Sequence, residues 1–196
     1  MACRLMASAV EIANLALEKI GDEGEINSLD EDSRAARAVN ACFAAMRDAV
    51  LRAHPWDFAR TRASLPELAE KPAGWWGTET LFQKPADFIR FVELDDERRY
   101  RLEGSMILVH GPGPLNILYI RRVEDTGRFD PLFVEALAAR IAMQVAKKIT
   151  GSDSAKARAE EEYIAQLRTA KAVNGIEDAP QDMPADDWVL ARERGA

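Results

Sequence analysis

Phe129-Asp130-Pro131-Leu132-Phe133-Val134-Glu135-Ala136-Leu137 carries a complete helix start. Asp130 is a helix-capping residue, Pro131 suits a first helical position where its missing amide would lack a partner anyway, and Phe129 is placed to pack on Val134 one turn in. Phe133, Leu137, Ile141, Val145 and Ile149 then recur at helical spacing, which predicts a helix over 131–150 with one buried face. Gly151-Ser152-Asp153 is a tight connection. Beyond it, Ala157, Ile164, Leu167 and Ala170 predict a helix over 154–173, closed by Asn174-Gly175. So short a connection leaves two helices antiparallel.

The N-terminal part follows the same grammar. Val10, Ala13, Leu17 and Ile20 predict a helix over 8–20, with Gly21 at its C-terminal cap. Ser28-Leu29-Asp30-Glu31 reads as a capping box, in which hydroxyl and carboxylate satisfy two orphan amides, and it predicts a second helix over 29–52. Ala35, Val39, Phe43, Met46 and Val50 form its apolar stripe, with Arg34, Arg37, Arg47 and Asp48 mostly off it. His54-Pro55 ends the helix, because the residue before proline is pushed out of helical geometry.

Residues 56–86 show little periodicity yet hold Trp56, Phe58, Trp75, Trp76 and Phe82 among prolines and glycines, so a long ordered loop is expected there. Strand patterns follow at Phe88–Leu94, at Tyr100–Glu103 and Met106–His110 around the hairpin pair Gly104-Ser105, and at Asn116–Arg121. The expected fold is mainly α with a β insertion (α+β). About four helices form an antiparallel bundle, and the strand-rich insertion, about 87–122, lies between helices two and three. The main domain is expected over 1–175 and an extended acidic arm over 176–196, whose only apolar run is Trp188-Val189-Leu190.

Composition narrows the function. The chain has 196 residues, 47% of them hydrophobic and 30% charged, enough for one core under a soluble surface. No apolar run approaches the roughly 20 residues of a membrane span. Met1-Ala2-Cys3-Arg4-Leu5-Met6 turns polar too soon for a signal peptide, so a cytoplasmic site of synthesis is expected. Cys3 and Cys42 read as free thiols, and with His54 and His110 they show none of the paired spacings of a zinc site. The net charge is −7, more than half of it from Glu177 onward, where Glu177, Asp178, Asp182, Asp186, Asp187 and Glu193 face only Arg192 and Arg194. A basic stripe of the kind that grips DNA is missing from this pattern.

Catalytic motifs are equally hard to find. The prolines of Gly111-Pro112-Gly113-Pro114 remove the amides a phosphate cradle needs, and neither histidine sits in a nucleophile motif. Paired carboxylates suffice for glycoside hydrolysis, and Asp95-Asp96-Glu97 and Glu160-Glu161-Glu162 are the densest acidic clusters; they read better as a strand-to-strand turn and a solvated helix face. Arg98-Arg99 with Arg101, and Arg121-Arg122, read as strand-edge charges or ion-pair partners. Trp75-Trp76 reads as an interface anchor or a loop core, and His54-Pro55-Trp56 as an architectural corner. Catalytic, cofactor and metal sites are therefore expected to be absent.

Several segments, in order, resemble a known family. They are Asn14-Leu15-Ala16-Leu17 leading to Ile20-Gly21, Ile26 through Ser33, Leu51-Arg52-Ala53-His54-Pro55-Trp56-Asp57-Phe58-Ala59, Lys84-Pro85-Ala86-Asp87-Phe88-Ile89-Arg90, and Leu118-Tyr119-Ile120 through Phe129-Asp130-Pro131-Leu132-Phe133 to Ala136-Leu137-Ala138. Together, over about residues 8–175, they resemble tail tubular protein A of short-tailed bacteriophages and the related head–tail adaptors of other tailed phages and gene transfer agents. The resemblance implies a virion structural protein whose copies, generally twelve, join in a ring between the portal and the tail nozzle or tube. It also implies β elements projecting from a helical bundle, passage of DNA without sequence-specific binding, and an arm reaching the portal, here with Trp188, Val189 and Leu190 as its anchor. The match fades from Glu177 on. The competing expectations are a virion-associated glycan hydrolase using paired carboxylates and a host-encoded cytoplasmic interaction module.

Overall fold

Four α-helices and six β-strands make up the residues that the computed structural model describes, 7–22 and 24–177, with the side chains of 174–177 excepted. Chain order is α1 (Ala9–Lys19), α2 (Arg34–Ala53), β1 (Arg60–Leu65), β2 (Thr80–Gln83), β3 (Phe88–Leu94), β4 (Tyr100–Glu103), β5 (Met106–Val109), β6 (Leu115–Arg121), α3 (Pro131–Thr150) and α4 (Asp153–Glu177). The fold is α+β, with two small antiparallel sheets.

α3 is the hub, packed by each of the other helices. Its start is as the sequence reads: Asp130 Oδ1 accepts from the Leu132 amide at 2.8 Å and Pro131 opens the helix. Its end is too, with Gly151 at φ +70° and its amide bonded to Lys147 O at 3.1 Å. Besides Phe133, Leu137, Ile141 and Val145 it buries Ala136, Ala138, Ala139, Ala142 and Ala146, so it is enclosed nearly all round. The Arg34 guanidinium reaches Lys148 O and the Trp56 ring meets Phe133, so α2 runs opposite to α3. α4 returns along α3 with Tyr163 beneath the Arg140 guanidinium, 5.4 Å away. Lys19, from the end of α1, bonds both Glu162 of α4 and Glu135 of α3, the latter at 3.1 Å.

Three helix details depart from the sequence reading. Residues 28–31 do not cap α2. Ser28 Oγ accepts from the Asp30 amide and Glu31 Oε2 from the Asn27 amide, forming a separate turn, while Ser33 Oγ caps the helix through the Ala36 amide at 3.1 Å. Asp30, Glu31 and Asp32 compete for backbone amides, whereas Arg34-Ala35-Ala36-Arg37 are strong helix formers. Arg47, expected off the apolar stripe, is buried; its guanidinium pairs with Asp48 at 3.0 Å and Glu124 at 3.4 Å while its stem lies along the core. α4 starts at Asp153 and runs through Asn174-Gly175 to Glu177, a helical glycine costing only about 1 kcal/mol relative to alanine. It buries Ala155, Ala159 and Ala170 and leaves Ile164 exposed, because small side chains let it lie close against the alanine-rich α3.

The β region begins at Arg60, not near 87. The expected loop over 56–86 contains β1 and β2. β1 carries few apolar residues, and β2 buries both Leu81 and Phe82, one on each face, so neither shows clean alternation; pairing supplies what propensity does not. β1 pairs along its full length with β6, from Arg60 opposite Ile120 to Leu65 opposite Leu115. The first sheet has the order β1-β6-β3, with bulges in β3, and the second β2-β5-β4. The β4–β5 hairpin forms as expected, Glu103 opposite Met106, with Gly104 at φ +51° in its turn.

Two cores result. Ile89, Ile120 and Val123 join the helices in the larger one. Leu65, Phe91, Leu115, Ile117 and Tyr119 of the first sheet meet Phe82, Ile107 and Val109 of the second in the smaller one. The first sheet thus belongs to both cores and carries the second sheet away from the helices.

Candidate functional site

The corner after α2 is built from aromatic residues. Trp56 is only 2% exposed, and its Nε1 donates to Val50 O at 2.9 Å, one of the last helical carbonyls without an intrahelical partner. Its ring lies edge-on to His54 (4.9 Å between centroids) and to Phe133 (5.1 Å). Phe58 adds contacts to Phe133 and Phe129 at 5.1 and 5.7 Å, and Phe129 meets Phe133 at 4.7 Å. His54, Pro55 and Trp56 therefore fasten the end of α2 to the start of α3.

Trp75 and Trp76, adjacent in sequence, have different surroundings. Gly74 at φ +81° turns the chain back, and Trp75 Nε1 donates to Gly77 O at 3.0 Å, leaving that ring half-buried. This loop lies over the face of the second sheet that bears Leu81, Leu108 and Arg101, which are aligned across its three strands. Arg101 pairs with Glu79 at 3.0 Å, and a cavity of about 210 Å³ remains between the loop and the sheet. Trp76, by contrast, is 93% exposed.

Beside Trp76 lies β4, an edge strand exposed at every residue. Among the described residues its backbone bonds only to β5, so its outer row of donors and acceptors is unpaired. Alternation puts Tyr100 and Leu102 on the side opposite Arg101, at the rim of the smaller core, where Tyr100 meets Phe91 at 4.2 Å. Trp76, Tyr100 and Leu102 are three of the four large apolar side chains exposed among the described residues. The sequence marked Trp76 but gave no sign of the edge, because β4 shows itself as an edge only once strand order is known.

The charged clusters are held in local pairs. Arg98 bonds Asp96 at 2.7 Å and Pro112 O at 2.8 Å, and Arg122 bonds Asp48 at 2.8 Å. The Arg98 side chain, its amide and its charge hold the Asp96 carboxyl below the usual carboxylate range, the reverse of what a general acid needs. Glu162 is paired with Lys19, and no group of three or more His, Cys, Asp or Glu among the described residues is placed to hold a metal ion. No helix among them is long and apolar enough to cross a membrane. Trp188, Val189 and Leu190 lie outside the described residues.

Sequence reading missed a basic groove of about 420 Å³ between the end of α2 and the β2–β3 connection, lined by Arg52, Lys84 and Phe88. Its cations are far apart in the chain, so no sequence pattern marks them. No protein-family model matches the chain, and no curated protein is significantly similar to it.

Proposed function

We propose that this chain is a non-enzymatic structural subunit of a phage head-to-tail adaptor ring, joining the portal to the tail and lining the DNA passage. The observation that carries the reading is the unpaired β4 edge, on the sheet that stands off from the helices, with Tyr100 and Leu102 exposed on one face and Trp76 exposed in the loop over the other. An exposed tryptophan beside a free strand edge is a hazard to a protein that stays alone and an asset to one that packs against further copies. The ordered resemblance of residues 8–175 to tail tubular protein A supports a head-to-tail adaptor as the kind of assembly.

On this reading α1 to α4 are the antiparallel bundle of the adaptor domain, 1–175, and the two sheets are its projecting β elements. About twelve copies close the ring. A net-acidic chain suits a DNA passage, since an acidic lumen does not retain phosphates. The acidic segment 176–196 contacts the portal through Trp188, Val189 and Leu190. Deleting residues 178–196 is expected to leave the fold intact and abolish attachment to portal-bearing capsids. Attachment at full strength by the truncated protein would move the portal contact to the bundle or to the loop holding Trp75 and Trp76.

A further inference from the structure

Two cations, Arg52 and Lys84, line the basic groove, Arg90 is bonded to the Arg52 carbonyl beside it, and none of the three charges is neutralised nearby. Arg52 Nη1 donates to Ile89 O at 2.6 Å, Arg90 Nη1 to Arg52 O at 3.2 Å, and Lys84 Nζ to Gly104 O at 2.7 Å. Lys84 also lies 5.4 Å over the Phe88 ring. All three thus bond backbone carbonyls, and none is ion-paired to a carboxylate among the described residues. The acids close by are engaged elsewhere. Asp87 accepts from the Tyr119 hydroxyl at 3.0 Å, and Asp48, one helical turn before Arg52, is taken by Arg47 and Arg122. Burial and the Arg52 charge together push the Lys84 ammonium below its ordinary value, which a bound anion would reverse.

The chain carries its own candidate anion. α2 and α4 both run opposite to α3, so Arg52 and Glu177 come to the same end of the helical layer. Beyond Glu177 come Asp178, Asp182, Asp186 and Asp187 before the first basic residue, Arg192. Extended chain covers roughly 3.3 Å per residue, so Asp182 lies within about 16 Å of Glu177 and Asp187 within about 33 Å.

We propose that the groove lined by Arg52, Lys84 and Phe88, with Arg90 beside it, seats the acidic stretch Asp182–Asp187 of the same chain. The carboxylates meet the three cations, and Trp188, Val189 and Leu190 are delivered just past the groove, where a partner can take them. This contact is internal to one copy, so neither a ring nor a portal is needed to detect it.

The test is zero-length carbodiimide coupling of the full chain at low ionic strength, followed by peptide mapping of the monomer fraction. Lys84 is expected to form amides with Asp182, Asp186 or Asp187 in preference to Lys147 and Lys148 at the other end of α3. The yield should fall several-fold at about 0.5 M salt, where the screening length shrinks to a few ångströms. It should vanish in the variant Asp182→Asn, Asp186→Asn, Asp187→Asn. Monomer in which Lys84 joins no carboxylate of that stretch overturns the proposal. So does coupling found only in species of dimer mass or larger, which would assign the groove to a neighbouring copy, and so does coupling spread evenly over all lysines.

Discussion

Replacing Trp56 by alanine removes two things the structure ascribes to that side chain. The ring is 2% exposed and packed edge-on against His54 and Phe133, so truncation leaves a cavity at the junction of α2 and α3. Losses of this kind cost about 3–5 kcal/mol. The indole N–H also caps Val50 O, and an acceptor left unsatisfied in a buried place costs about 1–3 kcal/mol. These figures overlap, since the measured cost of truncation already includes lost bonds, so about 3–5 kcal/mol is the expected total for Trp56→Ala. Trp56→Phe keeps most of the volume and loses the donor, and should cost about 1–3 kcal/mol. A chain of this size shifts its melting temperature by about 2–4 °C per kcal/mol, which places Trp56→Ala roughly 6–20 °C below the parent. Urea unfolding followed by helical circular dichroism measures both variants. If Trp56→Ala melts within about 2 °C of the parent, the corner is not a core element. If Trp56→Phe is as damaging as Trp56→Ala, the hydrogen bond outweighs the packing and the cavity reasoning is wrong.

Other outcomes follow from the same geometry. Ser33→Ala should lose about 1 kcal/mol in a melting experiment because Ser33 caps α2, while Ser28→Ala should lose less than about 0.5 kcal/mol; the reverse order would restore the earlier helix start. Trp75→Ala should lower stability and Trp76→Ser should not, yet only Trp76→Ser should weaken self-association in sedimentation, and equal melting losses for both would contradict their different burial. Burial, then the hydrogen bond to Asp87 and its charge, push the Tyr119 phenol up to about 12. Its folded value is raised, so the stability it contributes is complete below pH about 10, the unfolded value, and is lost as pH rises through the folded one. Burial also pushes the Tyr163 phenol up, so ultraviolet titration should show late-ionising tyrosines of which one disappears in Tyr119→Phe; a titration unchanged by that substitution would refute the assignment.

What the sequence made legible follows from how local each signal is. α3 was readable from end to end because Asp130, Pro131 and Gly151 act within a turn of themselves, and the β4–β5 hairpin because Gly104-Ser105 carries its own turn chemistry. α2 was readable in its body but not its start, where two serines offered caps and the acids between them decided which one served. β1 and β2 were hidden because their stability comes from partners distant in the chain: β1 from β6, and β2 from burial on both faces. The face of α4 differs from the expected one for a related reason. Ile164 looks like a core residue until the alanine surface of α3 favours Ala155, Ala159 and Ala170 instead. Of the candidate sites, the Trp56 corner and Trp76 could be named in advance from residue type alone. The β4 edge and the Arg52–Lys84 groove could not, since each exists only in three dimensions.

The proposed ring between portal and tail can be looked for by electron microscopy of the purified chain mixed with the portal protein proposed as its partner. The expected images show a closed ring of about twelve copies stacked coaxially on the portal, with the β elements at the contacts between neighbours. Trp76→Ser should reduce the fraction of closed rings. A chain that stays monomeric at all concentrations and leaves the portal bare would contradict the account.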